Sequence, residues 1–175
     1  MAEANLVYDL NPVTHITVGA IGEPGKRTFY LQGRQGLTIV TLIVEKEQVA
    51  ALSRGIDELL ERLGIEKNVL VNAYEMELSH PIEPVFRVGQ LGLGYDAEQK
   101  LMMLVAYELP EEEEPVSVDV VRFWATAEQM RAVARHAAAV VAAGRPICVL
   151  CGRPIDPAGH FCPKRNGHGE KATLT

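Results

Sequence analysis

The stretch 46-KEQVAALSRGIDELLERLG-64 has the pattern of an amphipathic helix, and it separates two strand-rich parts of the chain. Its apolar residues recur at alternating spacings of three and four, which places them along one side of a helix over about 46–63. These residues are Val49, Leu52, Ile56, Leu59 and Leu63. Gly64 follows at the position typical of a helix C-terminal cap. The pattern therefore predicts one helix with a single buried face.

Three strands are predicted before this helix and three after it. The first three are Val13–Ala20, then Thr28–Gln32 and Leu37–Val44, the last two forming a hairpin. The second three are Val85–Tyr95 and Lys100–Leu109, joined by a turn at Asp96–Gln99, and then Val116–Trp124. Short links favour antiparallel neighbours, because parallel strands need crossovers of about a dozen residues or more.

A second helix is predicted to begin at Thr126, where Gln129 is the partner three residues later in a capping box. Gly144 ends this helix, and Pro146 prevents its continuation. Its buried side is formed by Met130, Val133, Ala137, Val140 and Val141. The order βββ-α-βββ-α predicts an α+β fold with a mainly antiparallel sheet. We expect residues 1–144 to form this domain and residues 145–175 to form a small separate tail.

Length and charge limit the classes of function. The chain has 175 residues, enough for a hydrophobic core without a metal. Residues 1–143 carry 12 basic and 21 acidic residues, a balance of −9, and the remainder carries five and two, a balance of +3. An acidic body disfavours nucleic acid and anionic membranes as partners. No apolar run approaches the roughly 18–20 residues that span a bilayer, and no signal-peptide pattern is present, so we expect a cytoplasmic protein.

The three cysteines lie close together in the tail, and Cys148-Val-Leu-Cys151-Gly is the sequence of a zinc knuckle. Two intervening residues allow a tight turn to direct both sulfurs to one ion, and thiolates in a tetrahedral site favour zinc. Cys162 is the third predicted ligand because it is the only other thiol. His160 is the preferred fourth ligand, since side chains two residues apart in a strand project on the same side. His168 is the alternative, and it requires a longer ordered chain.

Four protein ligands predict a closed, structural Zn²⁺ site with no coordination position for water. A thioredoxin-type redox pair is the weaker interpretation, because such a Cys-x-x-Cys begins a helix in a βαβ unit. Here the pair follows a helix that has already ended. If only three of the ligands bind, the fourth position is open.

Two glycine-containing stretches look like nucleotide-binding loops but have the wrong spacing. Gly22–Arg27 has two residues between its glycines where a P-loop has four, and a strand follows it. Gly89–Gly94 precedes another strand, so its glycines indicate bulges or close backbone approach. The sequence therefore predicts no phosphate- or dinucleotide-binding loop.

Three histidines outside the tail are the candidates for catalysis in the body. His15 lies on a predicted strand, His80 precedes a proline, and His136 lies at the margin of the second helix's buried side. None has a nucleophile or an acid close by in sequence, although catalytic partners meet in space rather than in sequence. One hypothesis is an enzyme with a site between the sheet and the first helix, using His15 or His80.

Several motifs are shared with a known family. They are Asn11-Pro-x-x-His15-x-Thr17-x-Gly19, Phe29-Tyr30-Leu31-Gln32, Phe123-x-Ala125-Thr126-x-Glu128-Gln129 and the tail pattern Cys-x-x-Cys-Gly-x-Pro-x-Asp-Pro-x-Gly-His-x-Cys-Pro. In these motifs the chain resembles a bacterial, mainly actinobacterial, domain-of-unknown-function family over nearly its full length. The resemblance implies a soluble bacterial protein and transfers no catalytic residue.

The sequence favours a non-enzymatic interaction or adaptor protein that docks a protein partner through its zinc tail. Nucleic-acid binding by the tail is an alternative, in which basic residues contact phosphates and Phe161 stacks on a base. The basic residues are Arg145, Arg153, Lys164 and Arg165. The acidic body argues against this alternative.

Overall fold

The computed structural model describes residues 2–65, 75–143, 149–151, 160–162 and 171–172. Its elements are β1 Glu3–Leu10, β2 His15–Ile21, β3 Thr28–Gln35, β4 Thr38–Val44, α1 Lys46–Arg62, β5 Pro84–Asp96, β6 Leu101–Glu108, β7 Ser117–Ala125, α2 Ala127–Ala143, β8 His160–Phe161 and β9 Lys171–Ala172. All six strands and both helices predicted for the body are present, close to their expected bounds, and the α+β class is confirmed.

Strand β1 was not predicted, because its side chains are exposed on both faces along most of its length. Leu6 and Tyr8 lie on the surface, and Leu10 is buried. A strand with so little burial has no two-residue apolar period to reveal it. Pairing with β7 holds it in place, and the Trp124 indole nitrogen donates a hydrogen bond of 2.7 Å to Asp9.

The first seven strands form one sheet in the order β1-β7-β6-β5-β4-β3-β2. The predicted mainly antiparallel arrangement is wrong, because the sheet is mixed: β1 is parallel to β7, and β4 is parallel to β5. The other neighbours in the sheet are antiparallel. Helix α1 and the segment after it form the long crossover that a parallel β4–β5 pair requires. The parallel β1–β7 pair could not be predicted without knowing that β1 exists.

Helices α1 and α2 pack against each other and cover one face of the sheet. Val49, Leu52 and Ile56 are buried as predicted, whereas Leu60 replaces Leu63 at the end of the buried face. In α2, the buried residues include Met130, Val133 and Ala137, as the pattern predicted. A hydrogen bond of 2.7 Å from the Ser53 hydroxyl to the Ala134 carbonyl joins the two helices.

The N-terminus of α2 has the predicted capping box. The Gln129 backbone N–H donates to the Thr126 hydroxyl at 3.1 Å, and the Thr126 backbone N–H donates to the Gln129 side chain at 2.9 Å. Two backbone donors at the helix start are therefore satisfied reciprocally. The helix is described as far as Ala143, and the predicted end signals Gly144 and Pro146 lie outside the described residues.

The sheet curls so that its two ends approach each other. The chain between β1 and β2 touches both β7 and β3, because Val13 donates a backbone hydrogen bond to Trp124 and Thr14 donates one to Arg34. Gly33 of β3 lies directly against the ring of Phe123, where a Cβ atom would collide. Glycine is therefore required at this position by the close approach of two distant strands.

Candidate functional site

The predicted zinc ligands are only partly within the described residues. Cys162 is fully buried, and Cys151 is half-buried in a turn formed with Val149 and Leu150. Cys148, His168 and the side chain of His160 lie outside what the structure describes. Among the described residues, no three metal-binding side chains converge on one point. The four-ligand zinc site and the 1–144 and 145–175 division therefore stay predictions.

A short hairpin carries the second half of the predicted ligand set. Strand β8 pairs antiparallel with β9, with His160 opposite Ala172 and Phe161 opposite Lys171. Cys162 directly follows β8. The backbone at residues 160–161 is thus extended, as in the strand conformation assumed when His160 and Cys162 were predicted as ligands.

The turn between the first two predicted ligands exposes two apolar side chains. Val149 is 98% exposed and Leu150 is 51% exposed. Single exposed apolar residues are ordinary on protein surfaces, but two adjacent ones at the tip of a turn form a small apolar projection. We call Val149 and Leu150 the apolar tip.

A second candidate site is a cleft of about 670 Å³ in the body, within the range typical of ligand-binding pockets. One wall is the end of β2, another is α2, and the third is a segment at residues 75–80 that we call the strap. The lining residues are Gly19, Ala20, Ile21, Met76, Glu77, Leu78, His80, His136 and Val140. The cleft therefore combines an apolar interior with two imidazoles and one carboxylate.

Side chains of β2 and β3 fix the strap to the sheet by binding its backbone. The buried Gln32 side chain donates to the Ser79 carbonyl at 3.0 Å and accepts from the Ser79 N–H at 2.6 Å. The Thr17 hydroxyl donates to the Met76 carbonyl at 2.7 Å, and His15 Nε2 lies 2.6 Å from the Glu75 carbonyl. These hydrogen bonds hold the strap against the sheet in place of the backbone pairing that a regular strand would make.

Among the residues that the structure describes, His136 is the titratable group whose pKa is clearly shifted. Burial lowers the pKa of His136, and a hydrogen bond with the Val18 backbone opposes this shift. Because that bond favours the protonated ring, its acceptor is the Val18 carbonyl. His136 is thus held at the edge of β2, and its ring is more readily neutral than a solvated histidine.

The other cleft residues with acid–base capacity, Glu77 and His80, are exposed at the mouth. His15 is not in the cleft but lines a neighbouring cavity of about 20 Å³, together with Glu75 and Gln129. All three histidines therefore lie on the α2 side of the molecule. The hypothesis of a histidine site beside the first helix is wrong in its placement.

The cavity that does lie beside α1 has no titratable lining residue. It measures about 400 Å³ and is formed by one side of α1 and residues 89–93 of β5. Gln48 closes one end by donating a hydrogen bond of 3.1 Å to the Val88 carbonyl.

The two glycine-containing stretches that do not match nucleotide-binding loops have structural roles. Gly89–Gly94 lies within β5. Gly22 and Gly25 lie in the β2–β3 turn, where their φ values are 115° and 86°.

These features define an α+β protein with a curled mixed sheet, a two-helix layer and a cysteine-containing tail. The chain belongs to the family described as protein of unknown function (DUF3090), whose sequence model matches residues 8–162. The resemblance to a domain-of-unknown-function family is thereby confirmed, whereas its actinobacterial distribution stays a prediction. No curated protein and no solved structure matches the chain. Within the described residues, no helix has both the length and the apolar character needed to cross a membrane.

Sequence reasoning missed the joining of His80 and His136 in one cleft. The two residues are far apart in the chain, and they meet because α2 packs along β2 while the strap crosses the same strand. A partial signal was present, since His136 lies at the margin of the buried side of α2. No signal in a single sequence indicates that the strap returns to that helix.

Proposed function

We propose that this protein is a non-enzymatic, zinc-binding interaction protein, in which a structural Zn²⁺ ion makes the tail a rigid docking element for a protein partner. The ion is held by Cys148, Cys151, His160 and Cys162. The observation that carries the docking role is the exposure of the apolar tip, Val149 and Leu150, between the first two ligands.

The chemistry of the donor set supports zinc. Three thiols and one imidazole form a soft, tetrahedral set that binds Zn²⁺ and leaves no open position for a water molecule. Cys162 is fully buried, as a thiolate shielded by a metal and the surrounding chain is expected to be. A closed site supplies structural rigidity rather than catalysis.

The position of the apolar tip supports docking. A turn fixed by zinc at both of its ends holds Val149 and Leu150 in one conformation, so little conformational freedom is lost when a partner covers them. The tail also carries a balance of +3 beside a body of −9. The partner surface that fits these features is an apolar pocket with an acidic rim.

Native mass spectrometry of the full-length protein tests the metal. We expect one zinc ion per chain in the wild type and none in Cys162→Ser. His160→Ala is expected to lose the ion while His168→Ala keeps it, and the reverse result would assign the fourth ligand to His168. A wild-type chain that is purified without chelators and carries no zinc would remove the proposal.

Affinity capture with matched variants tests the docking role. We expect a stoichiometric protein partner to be recovered by the wild type and lost by Val149→Asp combined with Leu150→Asp. Leu37→Asp is the control, because Leu37 is 101% exposed in the turn between β3 and β4 and the substitution has the same chemistry. Equal recovery by the tip variant and the control would contradict docking through the tip, and so would the absence of any stoichiometric partner.

A further inference from the structure

Strand β2 lies at the end of the sheet, and within the described residues no strand pairs with its outer side. Backbone N–H and C=O groups along a strand point alternately to the two sides. The Val18 carbonyl points away from β3, because it faces the His136 ring on α2, and His136 and Ala20 line the same cleft at the outer edge of β2. Ala20, two residues further along, therefore also directs its N–H and C=O away from β3 and toward the cleft that it lines.

Helix α2 covers the outer edge of β2 at Val18, the middle of the strand, but not at Ala20. At Val18, the His136 side chain takes the place that a neighbouring strand would occupy. At Ala20, the same edge opens into the cleft of about 670 Å³. Proteins usually cover or charge an exposed strand edge, because it is a template for pairing with another chain. An edge that is protected at one point and left open inside a preformed cleft is suited to a specific added strand.

The walls of the cleft are suited to the side chains of such a strand. Leu78 packs over Gly19, where a Cβ atom would lie 2.8 Å from the leucine side chain. Met76, Ile21 and Val140 supply the remaining apolar surface, while Glu77 and His80 lie at the solvent-exposed mouth. A groove between a strand edge and a helix is a recurrent geometry for binding extended peptides, in which the backbone supplies affinity and side-chain pockets supply specificity.

We propose that this cleft binds an extended peptide segment of a partner protein as an additional strand beside β2. The peptide backbone pairs with the N–H and C=O of Ala20, and an apolar side chain of the peptide fills the space bounded by Met76, Leu78 and Val140. About three peptide residues span the Gly19–Ile21 edge, at roughly 3.3 Å per residue. This site is independent of the zinc tail, so either proposal stands if the other fails.

The first experiment uses random seven-residue peptides displayed on phage and selected on the full-length protein. An enriched peptide is then labelled with fluorescein, and its affinity is measured by fluorescence polarisation. We expect Ala20→Pro to weaken binding at least tenfold, because proline lacks the N–H, and proline is tolerated on strand edges where that N–H faces outward. Ala20→Ser retains the N–H and is expected to bind within about threefold of the wild type.

Amide hydrogen exchange on the wild-type protein provides a second measurement in case Ala20→Pro does not fold. We expect the Ala20 amide to exchange at least tenfold more slowly when the peptide is bound. The Ile21 amide, which points to β3, is the internal control and is expected to change little. The proposal is overturned if no peptide is enriched, if Ala20 exchange does not change, or if a folded Ala20→Pro variant binds as tightly as the wild type. Binding of small heterocycles but not of peptides in the same cleft would also overturn it.

Discussion

Substitution of Gln32 by methionine tests whether the strap is a structural part of the body. Gln32 is fully buried, and its side chain makes three hydrogen bonds: to the Thr41 hydroxyl at 2.9 Å, to the Ser79 carbonyl at 3.0 Å and from the Ser79 N–H at 2.6 Å. Methionine is similar in size but can form none of them. The substitution therefore removes the polar contacts while changing the packing little.

The expected loss follows from the groups that remain. Both backbone groups of Ser79 lose their partner, and a buried polar group left unsatisfied costs about 1–3 kcal/mol. Partial exposure of the strap lets water reach these groups, so we expect the free energy of unfolding to fall by about 2–3 kcal/mol, near the lower end of the range for two such groups. Gln35→Met is the matched control on the same strand, because Gln35 makes a single hydrogen bond of 3.1 Å to the Asn11 carbonyl. Its expected loss is about 1 kcal/mol or less.

Urea denaturation followed by circular dichroism measures both variants. Amide exchange at Ser79 separates global unfolding from local release of the strap, since a released strap exposes this amide without loss of the sheet. The structural role of the Gln32 contacts would be refuted if Gln32→Met lost no more stability than Gln35→Met while the Ser79 amide stayed protected. That result would mean that the strap is held by its apolar contacts alone.

Further predictions concern Gly33, His136 and the zinc tail. Gly33→Ala is expected to destabilise the protein by about 1–3 kcal/mol through collision with Phe123, and Gly33→Ala combined with Phe123→Leu is expected to recover part of that loss in the same denaturation assay. Because burial lowers the pKa of His136, the unfolded chain binds a proton more readily than the folded one as the pH falls below about 6.5, so stability decreases in that range. His136→Gln is expected to reduce this loss of stability, measured by thermal melts at pH 5 to 8. His80→Gln, at an exposed position of the same cleft, is the control. An identical pH dependence in the wild type and His136→Gln would contradict the lowered pKa of His136. Chelation of zinc is expected to increase amide exchange in residues 145–170 and to leave exchange in the body unchanged, because the body has its own core. Loss of protection throughout the chain would mean instead that the tail is part of the core.

The sequence was sufficient to predict the elements that carry a clear apolar pattern. Helix α1 lies where the spacing of Val49, Leu52 and Ile56 placed it, and the capping box of Thr126 and Gln129 marks the start of α2. In both cases the determining interactions are local or involve one face of one element. Such interactions leave a periodic or short-range trace in a single sequence.

The topology of the sheet could not be predicted from local sequence patterns. Strand β1 is mostly exposed and is stabilised by pairing with β7, its neighbour in space but more than 100 residues away. Parallel pairing of β4 and β5 depends on how the crossover through α1 packs, which is a tertiary property. The order of strands therefore could not be derived from hairpin signals alone.

The two candidate sites differ in the same respect, because one was predicted from local sequence and the other was not. The zinc knuckle was recognised because its ligands are close in sequence, and Cys148-x-x-Cys151 is a local motif. The cleft was not recognised, because Ala20, His80 and His136 come from a strand, a loop and a helix that meet only in the folded body. The exposure of the apolar tip could not be predicted either, because the sequence around Val149 does not show which side of the turn faces solvent.

X-ray absorption spectroscopy at the zinc edge, on the full-length protein as purified, tests whether the tail holds a closed structural zinc site. We expect one zinc per chain with three sulfur ligands at about 2.3 Å and one nitrogen ligand at about 2.0–2.1 Å. His160→Ala is expected to abolish the zinc signal, because this variant loses the ion, and His168→Ala is expected to leave the spectrum unchanged. A metal-free chain with its thiols oxidised to disulfides, or a zinc ion with a bound water in place of a fourth protein ligand, would contradict a closed structural site.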